Sequence, residues 1–305
     1  MRLLAWAGAA TLAVAVVAGC STPNVATMAT STTIPAVPGS LDGAYEPGLS
    51  YDAVAQFGVL TDTTPNLVLY YSGWYEKFQT QLAAAARTHD AYLLVQLNPN
   101  GVSLASVAAG KSDRYLRSYA QAVKGFGFPV ILSFGHEMNG WWYPWGVTHA
   151  NPAQFIAAWR HVVQVFRNEG ATNVRWLWTV AAVNYGQTDV ARWWPGASWV
   201  NWVGVDGYYY RPSDTFASVF SPTLAEVRRF TDAPLLIAET AVGPNPEAAS
   251  QVKGLFAGIR ANRLLGEVWF DEAQHDGIYH QDWRLEDDAA AMQAFKFAAR
   301  KYLDR

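Results

Sequence analysis

The chain has 305 residues, of which 51% are hydrophobic and 15% charged, and its formal net charge is -3 at pH 7. This composition is typical of a globular protein with a large core and excludes a disordered or fibrous chain. Because the basic residues form no stripe that could neutralise a phosphate backbone, nucleic acid is not an expected partner. The 14 Trp and 15 Tyr fit either sugar binding or core packing, since flat amphipathic rings serve both.

The first 40 residues differ from the rest of the chain. Residues 1–19 carry Arg2 and then an apolar stretch that ends in small residues, which predicts a signal peptide and not a membrane-spanning helix. Cys20, the only cysteine, follows directly and resembles the lipidated cysteine of bacterial lipoproteins. Residues 20–40 are rich in Ser, Thr, Ala and Pro, which indicates a flexible linker. We therefore expect a protein outside the cytoplasm, lipid-anchored to the bacterial cell membrane, with no disulfide.

After residue 40, short apolar runs alternate with longer amphipathic stretches, which predicts repeated βα units. Eight strands are predicted, at residues 43–45, 66–71, 91–97, 129–134, 174–179, 202–205, 234–238 and 267–270. The helices predicted between them include residues 76–87, 114–124, 152–168, 224–230, 247–262 and 288–303.

This pattern predicts an α/β fold, a single (β/α)8 TIM barrel over residues 41–305, close to the roughly 250 residues usual for that fold. A doubly wound open sheet is the alternative. It is disfavoured because no Gly-rich phosphate loop follows the first strands.

Polar residues stand where the predicted strands end, and in such barrels the chemistry lies at the C-terminal strand ends. The fourth strand runs into Glu137 and the seventh into Glu239. Glycoside hydrolysis needs such a pair, because one carboxyl group protonates the leaving oxygen while the other attacks or stabilises the anomeric carbon. Asp206, after the sixth strand, is a weaker alternative, since an Asp there more often braces neighbouring loops.

The segment 133–146, SFGHEMNGWWYPWG, resembles the acid/base segment of glycoside hydrolase family 26. The resemblance extends over about residues 41–305 and implies that Glu137 is the general acid/base and that Glu239, in LLIAET, is the nucleophile. It also implies a set of side chains that bind the sugar or support the carboxylates: His136, Trp142, Tyr143, Trp145, Tyr208 and Trp269.

The resemblance implies a retaining endo-β-glycosidase with β-1,4-mannan as the leading substrate. Ser133 stands where the family commonly has Arg, which leaves β-1,3-1,4-glucan, β-1,3-xylan or an envelope glycan as alternatives. A surface protein that binds carbohydrate without cleaving it is the rival from another class. No cofactor or metal is expected, because Gly140 stands four residues after His136 and an HExxH zinc motif is therefore absent. A monomer is expected.

Two further groups of residues each have two interpretations. A polar cluster after the eighth strand either lines the cleft, which we favour, or binds an ion; it comprises His275, Asp276, His280 and Asp282. Four tryptophans between the fifth and sixth strands either pack against the core, which we favour, or form a sugar platform; they are Trp193, Trp194, Trp199 and Trp202.

Overall fold

The structure is a computed structural model that describes residues 34–182, 189–273 and 281–303. Eight parallel strands close into a barrel in chain order. The strands are β1 Leu41–Tyr45, β2 Leu67–Gly73, β3 Tyr92–Asn98, β4 Val130–Phe134, β5 Val174–Ala181, β6 Trp202–Asp206, β7 Leu235–Thr240 and β8 Gly266–Phe270. The helices are α1 Tyr51–Thr61, α2 Thr80–Thr88, α3 Leu104–Ala108, α4 Asp113–Phe126, α5 Pro152–Asn168, α6 Phe216–Val219, α7 Ser221–Val227, α8 Ala248–Ala261 and α9 Ala289–Leu303.

The predicted (β/α)8 barrel is confirmed, and each predicted strand overlaps an observed one. The helices differ more. No helix was predicted at α1, and α2 begins at Thr80 and not at residue 76, because the Glu76 carboxylate accepts the Gly73 N–H and closes a turn there. The helix predicted at residues 224–230 is α7, which begins earlier because Pro222 occupies its first turn, where a missing N–H is harmless.

The barrel has an apolar core on both sides of its strands, as continuous hydrophobic strands require. Inside, one end is filled by inward-facing aliphatic residues, among them Leu41, Leu69, Ile131, Leu236 and Val268. Outside, alternate strand residues pack against the amphipathic helices. Because one end of the interior is filled by aliphatic side chains, polar inward-facing residues collect at the other end, where the strands finish.

Helix α5 follows the HEMNG segment, and its start is well defined. The Asn151 carboxamide accepts the Gln154 N–H at 3.0 Å, and the Gln154 side chain accepts the Asn151 N–H at 3.1 Å. Pro152 occupies the first turn of the helix. This capping box satisfies two otherwise unpaired groups and anchors the C-terminal side of the connection between β4 and α5.

The chain is ordered against the barrel before β1 begins. Ile34 is 1% exposed and lies in the cluster that fills the barrel interior, and the Gly39 N–H bonds to the Leu264 carbonyl at 2.9 Å. These residues fall in the stretch that the sequence assigned to the linker. Residues 1–19 and Cys20 lie outside the described residues. None of the described helices combines the length and apolar character that a membrane span needs.

Candidate active site

Glu137 is the third residue after β4, in an unusual backbone conformation. Its φ is 53°, and that of Gly135 is 56°, so both lie in the left-handed region that non-glycine residues rarely adopt. The Glu137 N–H bonds to the Thr179 carbonyl at 3.0 Å. The Asn139 side chain bonds the backbone N–H and C=O of Ala181, each at 2.9 Å. These bonds to β5 hold the loop in a conformation that would otherwise be unfavourable.

The carboxylate of Glu137 meets the indole of Trp142, whose Nε1–H donates to Oε2 at 2.7 Å. Gly140 makes this approach possible, because a Cβ at that position would collide with the Trp142 ring. The glycine of the HEMNG motif is thus required by packing. Trp142 is a polar partner of the proposed acid/base.

His136 is buried, and its two ring nitrogens each contact a polar side chain. Its Nδ1 lies 2.9 Å from Asn98 Oδ1 and its Nε2 lies 2.9 Å from the Tyr143 hydroxyl. Burial lowers the pKa of His136 to about 3, so the ring is neutral. Since Asn98 Oδ1 accepts only, Nδ1 carries the proton and Nε2 accepts from Tyr143.

Trp145 was expected to contact the sugar, and the structure corrects this. Its indole is 2% exposed, its Nε1–H donates to the His136 carbonyl at 2.7 Å, and its ring stacks on Tyr143 at 4.5 Å. The Trp145 ring therefore packs inside the loop and has no surface left for a sugar. Trp145 supports the backbone beside Glu137, and the more exposed Trp142 and Tyr143 stand nearer to the opening.

Glu239 lies near the end of β7 and accepts several hydrogen bonds. The Tyr208 hydroxyl donates to Oε2 at 2.9 Å, and Gln96 Nε2 donates to Oε1 at 3.5 Å. Burial raises the pKa of Glu239 to about 7, and hydrogen bonds from Tyr71, Tyr208 and Gln96 oppose that rise. These donors favour the carboxylate form.

Glu137 has fewer partners. Burial and the charge of Glu239 raise its pKa, the Trp142 bond opposes that rise, and the resulting pKa is about 8. With three donors on Glu239 and one on Glu137, Glu239 ionises first and Glu137 keeps its proton. Two carboxyl groups held in opposite protonation states can act as an acid and a nucleophile.

Asp206 is a third buried carboxyl group at this end of the barrel. It ends β6 and lies opposite Glu239 of β7 in the sheet. Neither of its oxygens has a hydrogen-bond partner among the described residues. Burial, with the charges of Glu239 and Glu137, raises its pKa well above the ordinary value. Its surroundings thus favour the protonated form of Asp206.

Trp269 was also expected in the sugar subsite, and the structure corrects that assignment. The ring is fully buried, its Nε1–H bonds the Trp283 carbonyl at 3.2 Å, and it packs edge-on against Phe295 of α9. Successive strand residues face opposite sides, so the next residue, Phe270, faces the barrel mouth. Phe270 stacks on Tyr45 at 4.6 Å and meets Tyr208 edge-on at 5.9 Å.

Several residues of the site were not identified from the sequence: Tyr45, Tyr71, Gln96, Asn98 and Phe270. Each lies at an inward-facing position near the end of its strand. Alternation along β2 and β3 carries the signal for Tyr71 and Gln96, since every second residue of those strands faces the interior.

Two further groups of residues had two interpretations each, and the contacts of their described members do not involve the two glutamates. Of the polar cluster after β8, Asp282 pairs with Arg284 at 2.6 Å, while His275, Asp276 and His280 lie outside the described residues. The four tryptophans pack. Trp193 and Trp202 are buried, Trp194 meets Trp178 edge-on at 5.1 Å, and Trp199 lies against two arginines.

The segment that carries both glutamates is similar to a known family. Residues 103–244 match the model of Glycosyl hydrolase family 26. The chain is 29% identical over 271 residues to Endoglucanase H of Acetivibrio thermocellus, an alignment that covers 82% of this chain and 29% of that protein. It is 27% identical over 182 residues to a Mannan endo-1,4-beta-mannosidase of Bacillus subtilis, covering 54% of this chain and 47% of that protein.

Among solved structures, the fold resembles that of a GH26 beta-mannanase from Bacteroides ovatus, with a TM-score of 0.61 and 15% identity. That likeness covers 81% of this chain and 82% of the other. It shows a shared fold. The chain spans less than half the length of the two curated relatives named above.

Proposed function

We propose that the chain is a retaining endo-β-glycosidase of glycosyl hydrolase family 26, whose model residues 103–244 match, with Glu137 as general acid/base and Glu239 as nucleophile. The observation that supports this most is the unequal hydrogen bonding of the two buried carboxyl groups. Three donors favour the ionised form of Glu239, while Glu137 has one. This division of protonation states is what double displacement requires.

In the first step Glu137 donates its proton to the leaving glycosidic oxygen as Glu239 attacks the anomeric carbon, which yields a covalent glycosyl-enzyme and the released sugar. Esterification removes the negative charge of Glu239. Because that charge raises the pKa of Glu137, its removal lowers the pKa and leaves Glu137 ionised as a base. In the second step Glu137 takes a proton from water, the water oxygen attacks the anomeric carbon, and Glu239 departs as carboxylate.

The supporting residues have separate tasks in this scheme. Tyr208 orients the Glu239 carboxylate, and Trp142 orients that of Glu137. Neutral His136 holds Tyr143 at the edge of the opening, where an aromatic ring can contact a sugar.

We propose β-1,4-mannan as the substrate, by analogy with the mannosidase of Bacillus subtilis. A β-glucan is the second candidate, because the alignment to Endoglucanase H extends over 82% of this chain. Ser133, where an Arg was expected from the family, is fully buried and bonds Thr179 Oγ1 at 3.2 Å. Two small hydroxyl side chains therefore pair at this position of the barrel interior, and product analysis has to decide which sugar is accepted.

The test is product analysis with the purified protein on β-1,4-mannan, mixed-linkage β-glucan, β-1,3-xylan and envelope glycans. Release of oligosaccharides from one polymer, abolished in Glu239→Ala, is the expected result. If the folded protein binds a polymer tightly yet releases nothing from it, the non-catalytic carbohydrate-binding function replaces this proposal.

We also propose that the enzyme is lipid-anchored through Cys20 outside the cytoplasm. The apolar N-terminal stretch that ends in small residues before Cys20 supports this. Replacement Cys20→Ser should move the protein from the membrane fraction to the soluble fraction and abolish fatty-acid labelling. Unchanged membrane association of this variant would contradict the anchor.

A further inference from the structure

A pocket of about 540 Å³ lies outside the barrel mouth, between the connection that follows β2 and helix α4. Its walls are largely aromatic, formed by Tyr75, Phe78, Tyr115 and Tyr119. Tyr75 comes two residues after the end of β2, so this wall starts at the end of the barrel where Glu137 and Glu239 lie. Tyr71 of the same strand bonds Glu239, and its Cα lies at most about 14 Å from that of Tyr75.

Tyr75 presents a fixed aromatic surface. The residue is 61% exposed. Its backbone has a φ of 71°, in the left-handed region that is unfavourable for a bulky residue. Its ring meets Tyr115 edge-on at 5.3 Å, and its hydroxyl lies 3.4 Å from Ser112 Oγ. A ring that is held by its edge and its hydroxyl keeps a face for a ligand at little entropic cost.

The charged groups around this ring are mostly cationic. Lys77, Lys111 and Arg114 line the pocket and are exposed, and among the described residues none of the three forms an ion pair. The single acidic residue of the lining, Glu76, accepts the Gly73 N–H at 2.8 Å. Three cations against one carboxylate leave the pocket with an aromatic face and an excess of positive charge.

We infer that this pocket is a second saccharide-binding site, for a sugar ring that carries a carboxylate. The apolar face of a pyranose would stack on Tyr75, and the carboxylate would lie among the three cations, which are suited to binding an anion. Such a site would hold an acidic saccharide chain beside the catalytic opening, next to the polymer that is cleaved. The inference rests on the pocket alone and does not depend on which residues perform hydrolysis.

Calorimetric titration tests the site, in protein carrying Glu239→Ala so that the ligand stays intact. The probes are a xylotetraose that bears one glucuronic acid and the same oligosaccharide without it. We expect the acidic probe to bind at least tenfold more tightly, with an affinity that falls as sodium chloride is raised. Tyr75→Ala and Lys111→Ala should each lower that affinity at least tenfold.

Two matched surface variants serve as controls. Phe297→Ala removes another exposed ring, which is 64% exposed on α9, and Lys253→Ala removes an exposed cation of α8. Both should bind the acidic probe like the parent. Equal binding of the two probes, or unchanged affinity in Tyr75→Ala, would overturn the site. Tyr75-dependent binding in a wild-type protein that hydrolyses nothing would support this site while removing the proposed activity, so the two failures are distinguishable.

Discussion

The hydroxyl group of Tyr208 lies 2.9 Å from Oε2 of Glu239 and donates a hydrogen bond to it. Tyr208 follows β6 and Glu239 lies in β7, so the bond joins neighbouring strand ends of the barrel. It favours the charged form of a carboxyl group that burial would otherwise keep neutral. The ionisation of Glu239 thus depends on its neighbours.

Replacement Tyr208→Phe removes this donor and should lower kcat by about 10- to 100-fold, since a hydrogen bond to a charged group contributes about 1.5–3 kcal/mol. The pKa of Glu239 should rise, so the acidic limb of the kcat/KM profile should move to higher pH. Tyr92→Phe, at the opposite end of the barrel, is the matched control. An unmoved acidic limb would show that Tyr208 does not act through Glu239.

Replacement Trp142→Phe removes the hydrogen-bond donor to Glu137 and should affect the alkaline limb of the kcat/KM profile. The indole bond lowers the pKa of Glu137, so its loss should raise that pKa and move the alkaline limb to higher pH. The acidic limb should stay in place. A pH–rate series over the whole range measures both limbs, and a shift of the acidic limb alone would contradict the pairing of Trp142 with Glu137.

Replacement Glu137→Ala removes the proton donor while leaving the nucleophile. Turnover of the natural polymer should fall by about 10²–10⁴-fold. A dinitrophenyl β-glycoside of the same sugar needs no protonation of its leaving group, so formation of the glycosyl-enzyme should remain fast and produce a burst of dinitrophenol. In Glu239→Ala neither substrate should react. Equal loss on both substrates in Glu137→Ala would reject its role as acid.

A second pair of buried carboxyl groups lies on the outer side of the barrel, where Asp42 of β1 pairs with Glu267 of β8. Burial raises the pKa of Glu267 well above 4.5, and the charge of Asp42 raises it further. The folded protein therefore keeps a proton that the unfolded chain releases above about pH 4.5. The contribution of Glu267 to the unfolding free energy should be fully present below that pH and should fall as pH rises towards the folded pKa, by up to about 1.4 kcal/mol per pH unit.

Replacement Glu267→Gln should remove this part of the pH dependence and leave catalysis intact, because the pair does not contact the two glutamates of the site. Urea unfolding between pH 5 and 8 measures the slope of the unfolding free energy. Glu247→Gln, at an exposed position, is the control and should keep the wild-type slope. If Glu267→Gln retains that slope too, the pair does not hold the proton.

The fold and the two glutamates could be predicted because their signals are local. Apolar runs such as residues 130–132 mark buried strands, and Glu137 and Glu239 follow directly after two of them. Asp206 was recognised as a strand-end acid for the same reason. Its protonated state could not be predicted, because it depends on the proximity of carboxyl groups from three strands.

The aromatic residues of the site were harder to predict. A ring near a strand end packs in the core if its side chain faces the helices and lines the cleft if it faces the barrel interior. Trp269 and Phe270 are neighbours in sequence, and a difference of one position decides which of them faces the mouth. Trp145 belongs to the motif, yet its indole is used to bind the His136 carbonyl. Strand register and loop folding, which settle both cases, are tertiary properties.

The most direct test of double displacement is peptide mass mapping of Glu137→Ala after reaction with the dinitrophenyl β-glycoside of the sugar that the wild-type protein releases. We expect one glycosyl adduct, on Glu239, because attack proceeds while the base needed for hydrolysis of the adduct is missing. An adduct on another residue, or rapid turnover with no adduct and inverted anomeric configuration in the first product, would contradict this expectation.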